Sequence, residues 1–281
     1  MKLGLALGGG GARAAAHIGV LMEFERLGLV PNLIVGTSAG ALIGALLAYG
    51  VSPTQMKELF EQFGFTRLFS FNVNSPAITT PDKFAGLLKD LIGQPTFADM
   101  KIPLAMIATN LITRQEVVID EGDVTSALHA SMAYPILLPP VEREGLTLID
   151  GGLVNQVPFD VARARGATDV IAVDLGNAAP YGSAPMEASK SNLFERMLNA
   201  TKRRPTMQLI TAVSDIITGR AVQARLAISQ PDIMLRPHIG TIGLLDFHSA
   251  DEAIERGRIA VKNAEEEITK LIKAKGQPKK N

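Results

Sequence analysis

The residue best placed for nucleophilic chemistry is Ser38, the centre of a G-x-S-x-G pattern. An apolar run, 33–35, precedes the pattern, and a run of small and apolar residues, 41–48, follows it. This order predicts a strand, a sharp turn and a helix. The turn points the serine hydroxyl away from the sheet and beside a helix N-terminus, where negative charge is favoured. Gly36 and Gly40 fit the prediction because a bulky side chain would collide with its neighbours in so tight a turn.

A serine hydroxyl needs a base, and histidine is the common one. The chain has four histidines, His17, His129, His238 and His248. The last two come late enough for a triad in the chain order serine, acid, histidine. None is flanked by glycine-rich loop signals, and His17 falls on the first predicted helix, where we expect a structural role.

Asp150 has a better setting for a base, since it follows a predicted strand and precedes Gly151 and Gly152. Chemistry in an α/β sheet gathers at the carboxyl ends of strands, so we expect Asp150 and Ser38 there together. A simple turn explains the Asp-Gly pair equally well. A carboxylate with the usual pKa of about 4 is a weak base. It can serve if it is partly desolvated and within hydrogen-bond reach of the hydroxyl.

Four consecutive glycines, Gly8 to Gly11, lie between the first predicted strand and helix. Their backbone N–H groups can form an anion-binding nest, which a helix N-terminus strengthens. A dinucleotide site is the rival interpretation, because Gly9, Gly11 and Ala14 satisfy its G-x-G-x-x-G/A fingerprint. That site needs an acidic residue after the second strand, where this chain has Ser38. The glycines are not followed by the Lys-Ser/Thr pair of an NTPase phosphate loop.

Alternating strand and helix patterns predict an α/β domain with a mostly parallel sheet. The S-x-x-E pattern of Ser249 and Glu252 predicts a capping box at a late helix N-terminus. The predicted strands are 3–7, 33–35, 103–110, 116–119, 146–149 and 170–175, and the predicted helices are 14–27, 41–48, 53–63, 124–132 and 159–165, with Asp123 as a cap.

Bulk composition describes a globular chain with a sizeable core. Of its 281 residues, 47% are hydrophobic and 20% are charged. The 28 basic and 28 acidic residues balance, so bulk charge does not attract nucleic acid. There is no cysteine, which excludes disulfides and thiolate chemistry. No apolar stretch reaches the roughly 18 residues that span a bilayer, and we expect a soluble cytoplasmic protein.

Two segments each allow two interpretations. The phenylalanine-rich segment 60–84 is either a loop that packs its own aromatic side chains or an apolar flap beside the active site. In the segment 177–204, the sequence pattern predicts a basic amphipathic helix near the end. Such a helix packs on its own domain with solvated charges or lies on an anionic membrane surface.

Taken together, these motifs resemble the patatin-like phospholipase family, especially its small bacterial members. The resemblance spans at least residues 1–175. It rests on the glycine-rich stretch 8–21, the serine pentapeptide 36–40, Ala130 to Pro135 with Pro139-Pro140-Val141, Asp150-Gly151-Gly152, Val157-Pro158 and residues 169–174.

The resemblance implies a Ser–Asp dyad without histidine, in which Ser38 is the nucleophile and Asp150 is its base. It implies an oxyanion hole made by backbone amides of Gly9, Gly10 and Gly11. Supporting roles fall to Arg13, as a brace of that loop or a contact to an anionic head group, and to Gly36, Gly40, Gly151 and Gly152. The sequence departs from the family at Ala14, where glycine is usual.

The implied fold is a three-layer α/β/α sandwich related to acyl transferases, over a single domain 1–281 with its core at about 1–175. The implied reaction is hydrolysis of a lipid acyl ester through an acyl-enzyme, with no metal or cofactor. Acyl transfer by the same dyad is one alternative. A regulatory lipid-binding protein with low turnover is another.

Overall fold

A computed structural model describes residues 2–59, 86, 89, 93–135, 137–176 and 205–273, with side chains from residue 212 in the last segment. The predictions for 60–84 and 177–204 therefore lie outside the described residues. Eight strands in the described segments form one sheet. They are β1 (Leu3–Leu7), β2 (Leu33–Thr37), β3 (Leu104–Asn110), β4 (Glu116–Ile119), β5 (Val141–Arg143), β6 (Leu146–Asp150), β7 (Asp169–Val173) and β8 (Ile233–Leu235).

Five of these strands form the parallel part of the sheet. β1 lies between β2 and β7, β3 follows β2, and β8 follows β7. β4 and β6 pair with β3 in the antiparallel direction, and β5 extends β6. The prediction of a mostly parallel sheet is confirmed.

Helices connect the strands and cover the sheet. They are α1 (Ala15–Arg26), α2 (Ala39–Tyr49), α3 (Val124–Met132), α4 (Phe159–Ala164), α5 (Pro205–Leu226), α6 (Ala250–Asn263) and α7 (Glu265–Lys273). Residues 53–59 are also helical. Short 3-10 turns occur at Gly11–Ala14, Phe97–Asp99, Gly151–Leu153 and Phe247–Ser249.

The core has two halves, one on each face of the sheet. Along β1, Leu5 and Leu7 join one half and Ala6 joins the other, because successive side chains of a strand point to opposite faces. The first half packs against α1, α2, α3 and α6, and the second packs against α4 and α5. This arrangement is the expected three-layer α/β/α sandwich.

β2 and β6 meet end to end. Thr37, the last residue of β2, pairs with Ile107, and Asp150, the last of β6, pairs with Ala108. β4 pairs with both Ile107 and Ala108 and therefore occupies the other edge of β3. Since β2 and β6 run in opposite directions along the remaining edge, their carboxyl ends converge on one point.

α1 and α6 pack backbone against backbone. A Cβ added at Gly19 would lie 1.8 Å from the carbonyl oxygen of Ile254, and one added at Gly257 would lie 1.9 Å from that of Ala16. Real Cβ atoms do not approach a carbonyl so closely. The two glycines therefore allow α6, from the C-terminal part of the chain, to lie directly on the helix that follows the glycine loop.

Most predicted elements form within a few residues of their expected bounds. The helix predicted after Ser249 begins at Ala250, but the Ser249 side chain makes no capping hydrogen bond, so the predicted capping box is wrong. Asp123 does cap α3, by accepting from the Ser126 N–H. β5, β8 and α5 were not predicted.

Candidate active site

Ser38 occupies the sharp turn between β2 and α2. Its backbone has φ 53° and ψ −127°, a conformation that is strained for a residue with a side chain. A Cβ at Gly36 would lie 2.5 Å from the Ala41 Cα, and one at Gly40 would lie 2.4 Å from the Leu7 carbonyl oxygen. The turn therefore needs both glycines of the G-x-S-x-G pattern.

The Ser38 hydroxyl donates a hydrogen bond of 2.6 Å to Oδ2 of Asp150. The other carboxylate oxygen, Oδ1, accepts from the Gly152 N–H at 2.7 Å. The backbone N–H of Ser38 donates to Oγ of Ser131 at 2.9 Å, which holds the turn against α3. The structure thus brings together the serine and the aspartate that the sequence singled out.

The Asp150 residue is 2% exposed. Burial raises its pKa to about 6, against the hydrogen bonds from Ser38 and Gly152, which lower it. A carboxylate with a raised pKa is a stronger base than an ordinary aspartate and is still ionised at neutral pH. Asp150 is thus desolvated and within hydrogen-bond reach of the Ser38 hydroxyl, which are the two conditions under which an aspartate can serve as the base.

The glycine loop presents its donors differently from the prediction. The Gly9 N–H donates to the Gln156 carbonyl oxygen at 3.1 Å and is not available to a ligand. The N–H groups of Gly10 and Gly11 bond to no described residue, and both glycines line the cavity that contains Ser38 and Asp150. The loop therefore offers two open donors, from Gly10 and Gly11, instead of three.

Ala39 supplies a further open donor that sequence reasoning missed. It is the first residue of α2, it lines the same cavity, and its N–H bonds to no described residue. The residue after the serine of such a turn has its N–H at the helix N-terminus, where an anion is favoured. Its position in the G-x-S-x-G pattern was a sufficient signal.

Arg13 braces the loop. Its guanidinium donates to both carboxylate oxygens of Asp215 on α5, at 2.9 and 3.0 Å, and its Nε donates to the Ile242 carbonyl oxygen at 2.8 Å. The side chain is buried. Of its two expected roles, bracing is the one that these contacts support.

The four histidines, all in described segments, do not line the cavity. His17 is buried, and its Nε2 lies 2.7 Å from the Gly8 carbonyl oxygen. Because a carbonyl only accepts, Nε2 carries the proton. Burial lowers the pKa of His17 to about 4, so the ring is neutral and holds the glycine loop. The expected structural role of His17 agrees with these contacts.

Gln156 is a second residue that the sequence did not single out. Its backbone carbonyl accepts from the Gly9 N–H, and its side-chain Nε2 donates to the Gly9 carbonyl oxygen at 2.9 Å. A Cβ at Gly152 would lie 2.4 Å from Oε1 of Gln156. The side chain thus fits between the glycine loop and the turn after Asp150.

The rest of the cavity wall is largely apolar, with a polar side. The residues that line it beyond the dyad and the glycine loop are Ala39, Met132, Tyr134, Leu137, Gly152, Leu153, Gln156, Ser214, Asp215, Thr218, Leu244, Leu245 and Phe247. A wall of this composition suits an aliphatic chain beside a few oriented polar groups.

In the described segments, no cluster of three or more acidic or histidine side chains is arranged to bind a metal ion. Within the same segments, every helix is too short or too polar to cross a bilayer.

The fold and the site define an α/β protein with a serine turn, an aspartate partner and a glycine nest. The chain belongs to the patatin-like phospholipase family, whose sequence profile matches residues 5–163. This membership confirms the resemblance.

Two curated relatives illustrate the match. A patatin-like phospholipase domain-containing protein of Caenorhabditis elegans is 32% identical over 276 residues, which cover 91% of this chain and 20% of the relative. Lysophospholipase NTE1 of Pyricularia oryzae is 27% identical over 267 residues, which cover 91% of this chain and 18% of the relative. The chain spans less than half the length of the curated relatives it matches.

A solved structure shares the fold. VipD from Legionella pneumophila superposes with a TM-score of 0.56 and 14% identity, over 93% of this chain and 66% of that one. The likeness confirms the mixed α/β architecture.

Proposed function

We infer that this chain hydrolyses the acyl ester of a phospholipid or lysophospholipid, with Ser38 as the nucleophile and Asp150 as its base. The observation that carries the proposal is the 2.6 Å hydrogen bond from the Ser38 hydroxyl to the buried Asp150 carboxylate. Family membership and the lysophospholipase name of a relative support the substrate class.

In the first half-reaction, Ser38 Oγ attacks the ester carbonyl carbon while its proton moves to Asp150 Oδ2. The carbonyl oxygen becomes an oxyanion, which the open N–H groups of Gly10, Gly11 and Ala39 can stabilise. When the intermediate collapses, the ester C–O bond breaks and the leaving alcohol takes the proton from Asp150. The acyl group remains on Ser38.

In the second half-reaction, a water molecule attacks the acyl-enzyme and gives its proton to Asp150. A second oxyanion forms in the same place, and its collapse releases the fatty acid and returns the proton to Ser38. Asp150 thus acts alternately as base and acid, which a pKa of about 6 suits better than the usual value.

A fluorophosphonate probe tests the nucleophile, because it phosphonylates activated serines. We expect labelling at Ser38 by mass spectrometry, and loss of labelling in Ser38→Ala and Asp150→Asn. Ser229→Ala, which removes a serine that does not line the cavity, is the matched control. An unlabelled wild type would refute the dyad.

Fatty-acid release from lysophosphatidylcholine and phosphatidylcholine tests the reaction. We expect both dyad variants to lose activity on the order of 10³-fold or more, since a nucleophile and its base act as one unit. If an added alcohol or lysolipid captures the acyl group in preference to water, acyl transfer replaces hydrolysis. If the wild type labels but releases no acyl product, the low-turnover alternative replaces both.

A further inference from the structure

The carbonyl groups of two successive peptides in the glycine loop are held by different partners. The Gly10 carbonyl oxygen accepts from the backbone N–H of Arg13 at 3.1 Å. The Gly9 carbonyl oxygen accepts from Nε2 of the Gln156 side chain at 2.9 Å. The first contact belongs to the 3-10 turn that begins at Gly11, whereas the second depends on one side chain.

In a trans peptide the C=O and the N–H of the next residue lie in one plane and point in opposite directions. Holding the Gly9 carbonyl therefore fixes the direction of the Gly10 N–H, which bonds to no described residue and belongs to a glycine that lines the cavity. Glycine has no Cβ to restrict rotation of the flanking bonds. Without a partner for the Gly9 carbonyl, this peptide could rotate and turn its N–H away.

The side-chain amide of Gln156 lies close against two glycines, Gly9 and Gly152. A Cβ at Gly9 would be 3.0 Å from Oε1 of Gln156, and a Cβ at Gly152 would be 2.4 Å from the same atom. The backbone of Gln156 also accepts from the Gly9 N–H at 3.1 Å. Gln156 therefore holds the Gly9 residue at both its N–H and its carbonyl.

We propose that Gln156 is a positioning residue whose side-chain amide orients the Gly10 N–H for stabilisation of the oxyanion. The inference rests on the proposed hydrolase function. Gln156 acts on the transition state through Gly10, because the N–H it orients bonds to an oxygen that carries full charge only in the tetrahedral intermediate.

The test compares Gln156→Met, which keeps the side-chain length but has no N–H, with the wild type on a short-chain p-nitrophenyl ester. Loss of one oxyanion donor lowers kcat about 10²- to 10³-fold. Misorientation of a donor should lower kcat about 10- to 100-fold and leave KM within about twofold. The exposed glutamine Gln223 gives the matched control, Gln223→Met.

An alkyl trifluoromethyl ketone separates positioning from a structural role, since it forms a tetrahedral oxyanion adduct with an active serine. Its affinity should fall in Gln156→Met by the same factor as kcat/KM, while the affinity of the unreactive alkyl methyl ketone stays unchanged. Gln156→Asn, whose side chain is too short for its amide to reach Gly9, should show the same losses of kcat/KM and of trifluoromethyl ketone affinity. It replaces Gln156→Met if that variant does not fold.

Wild-type kcat in a folded Gln156 variant, or an equal loss of affinity for both ketones, would overturn the inference. If the wild type labels with the fluorophosphonate and cleaves esters while the Gln156 variants match it, only the role of Gln156 fails. If the wild type neither labels nor cleaves, the proposed function fails, and this inference fails with it.

Discussion

Ser38 and Asp150 share a hydrogen bond of 2.6 Å although they lie at the ends of strands that run in opposite directions. If two antiparallel strands lay side by side, their carboxyl ends would be a full strand length apart. β2 and β6 instead abut on one edge of β3, at Ile107 and Ala108. This end-to-end meeting places a buried carboxylate directly at the serine turn.

The first prediction concerns the pH dependence of activity. Burial raises the pKa of the Asp150 carboxyl to about 6, and only the ionised form can accept the Ser38 proton. We expect kcat/KM to be level above about pH 7 and to fall about tenfold per pH unit well below 6. The rate of p-nitrophenyl ester cleavage from pH 4.5 to 8 measures this.

The two exposed histidines provide the control for that profile. His238→Ala and His248→Ala should leave its midpoint and its plateau unchanged. A midpoint near 4 would mean that Asp150 is not desolvated in solution. A midpoint that moves with either histidine would point to a different base.

The second prediction is that two buried groups have opposite effects on stability as the pH falls. The pKa of Asp150 is raised by burial from 3.8 to about 6, so between these values the folded state binds more protons and acidification stabilises it. The pKa of His17 is lowered by burial from 6.5 to about 4, so acidification destabilises the fold over a similar range. Each contribution amounts to about 3 kcal/mol, at 1.36 kcal/mol per pH unit.

Asp150→Asn should therefore be more stable than the wild type at pH 8, by up to about 3 kcal/mol. The difference should fall steeply below pH 6, as the folded wild-type carboxyl becomes protonated, and be mostly lost at pH 4. His17→Gln should show the reverse, a difference from the wild type that appears only on acidification. Urea unfolding of the three proteins at pH 4, 6 and 8 measures both, and a pH-independent difference for Asp150→Asn would contradict the assignment.

Much of the site was predictable because its signals are local. The strained serine needs glycine two residues away on each side, and Asp150 needs small residues after it, so G-x-S-x-G and D-G-G are visible in the sequence. The alternation of strands and helices is equally local. It predicted four of the five parallel strands, β1, β2, β3 and β7, within a few residues, but not β8.

The parts that were missed depend on contacts between distant segments. Gly9 became unavailable as a donor because the Gln156 carbonyl, 147 positions away, accepts its N–H. Arg13 pairs with Asp215, 202 positions away on a helix that was not predicted. The end-to-end meeting of β2 and β6 follows from strand register on β3, which no local pattern specifies.

The third prediction concerns the strain at Ser38. A left-handed, sparsely populated backbone conformation costs about 1–3 kcal/mol for a residue with a side chain, and glycine avoids this cost. Ser38→Gly should therefore be more stable than Ser38→Ala, by about 1 kcal/mol or more, although both lack the nucleophile. Thermal or urea unfolding of the two variants compares them directly.

An ordinary helical position gives the matched control for that comparison. Replacement of Ala224, an exposed residue of α5, by glycine should destabilise the protein by about 0.5–1 kcal/mol. The sign of the alanine-to-glycine change is thus opposite at the two positions. If Ser38→Gly is the less stable of the Ser38 pair, the turn is not strained in solution.

The fourth prediction concerns the contact between α1 and α6. Glycine to alanine in a helix interior normally stabilises by about 0.5–1 kcal/mol, but a Cβ at Gly19 or Gly257 would meet a carbonyl oxygen at 1.8 or 1.9 Å. Either Gly19→Ala or Gly257→Ala should therefore destabilise the protein, by about 1–3 kcal/mol or more, as overpacking does.

Gly219→Ala is the control, because α5 leaves open space there and the substitution should stabilise. Since α1 follows the glycine loop, both destabilised variants should also lose esterase activity at a lower temperature than the wild type, whereas Gly219→Ala should not. Equal stability of all three variants would show that α6 does not pack on α1 in solution.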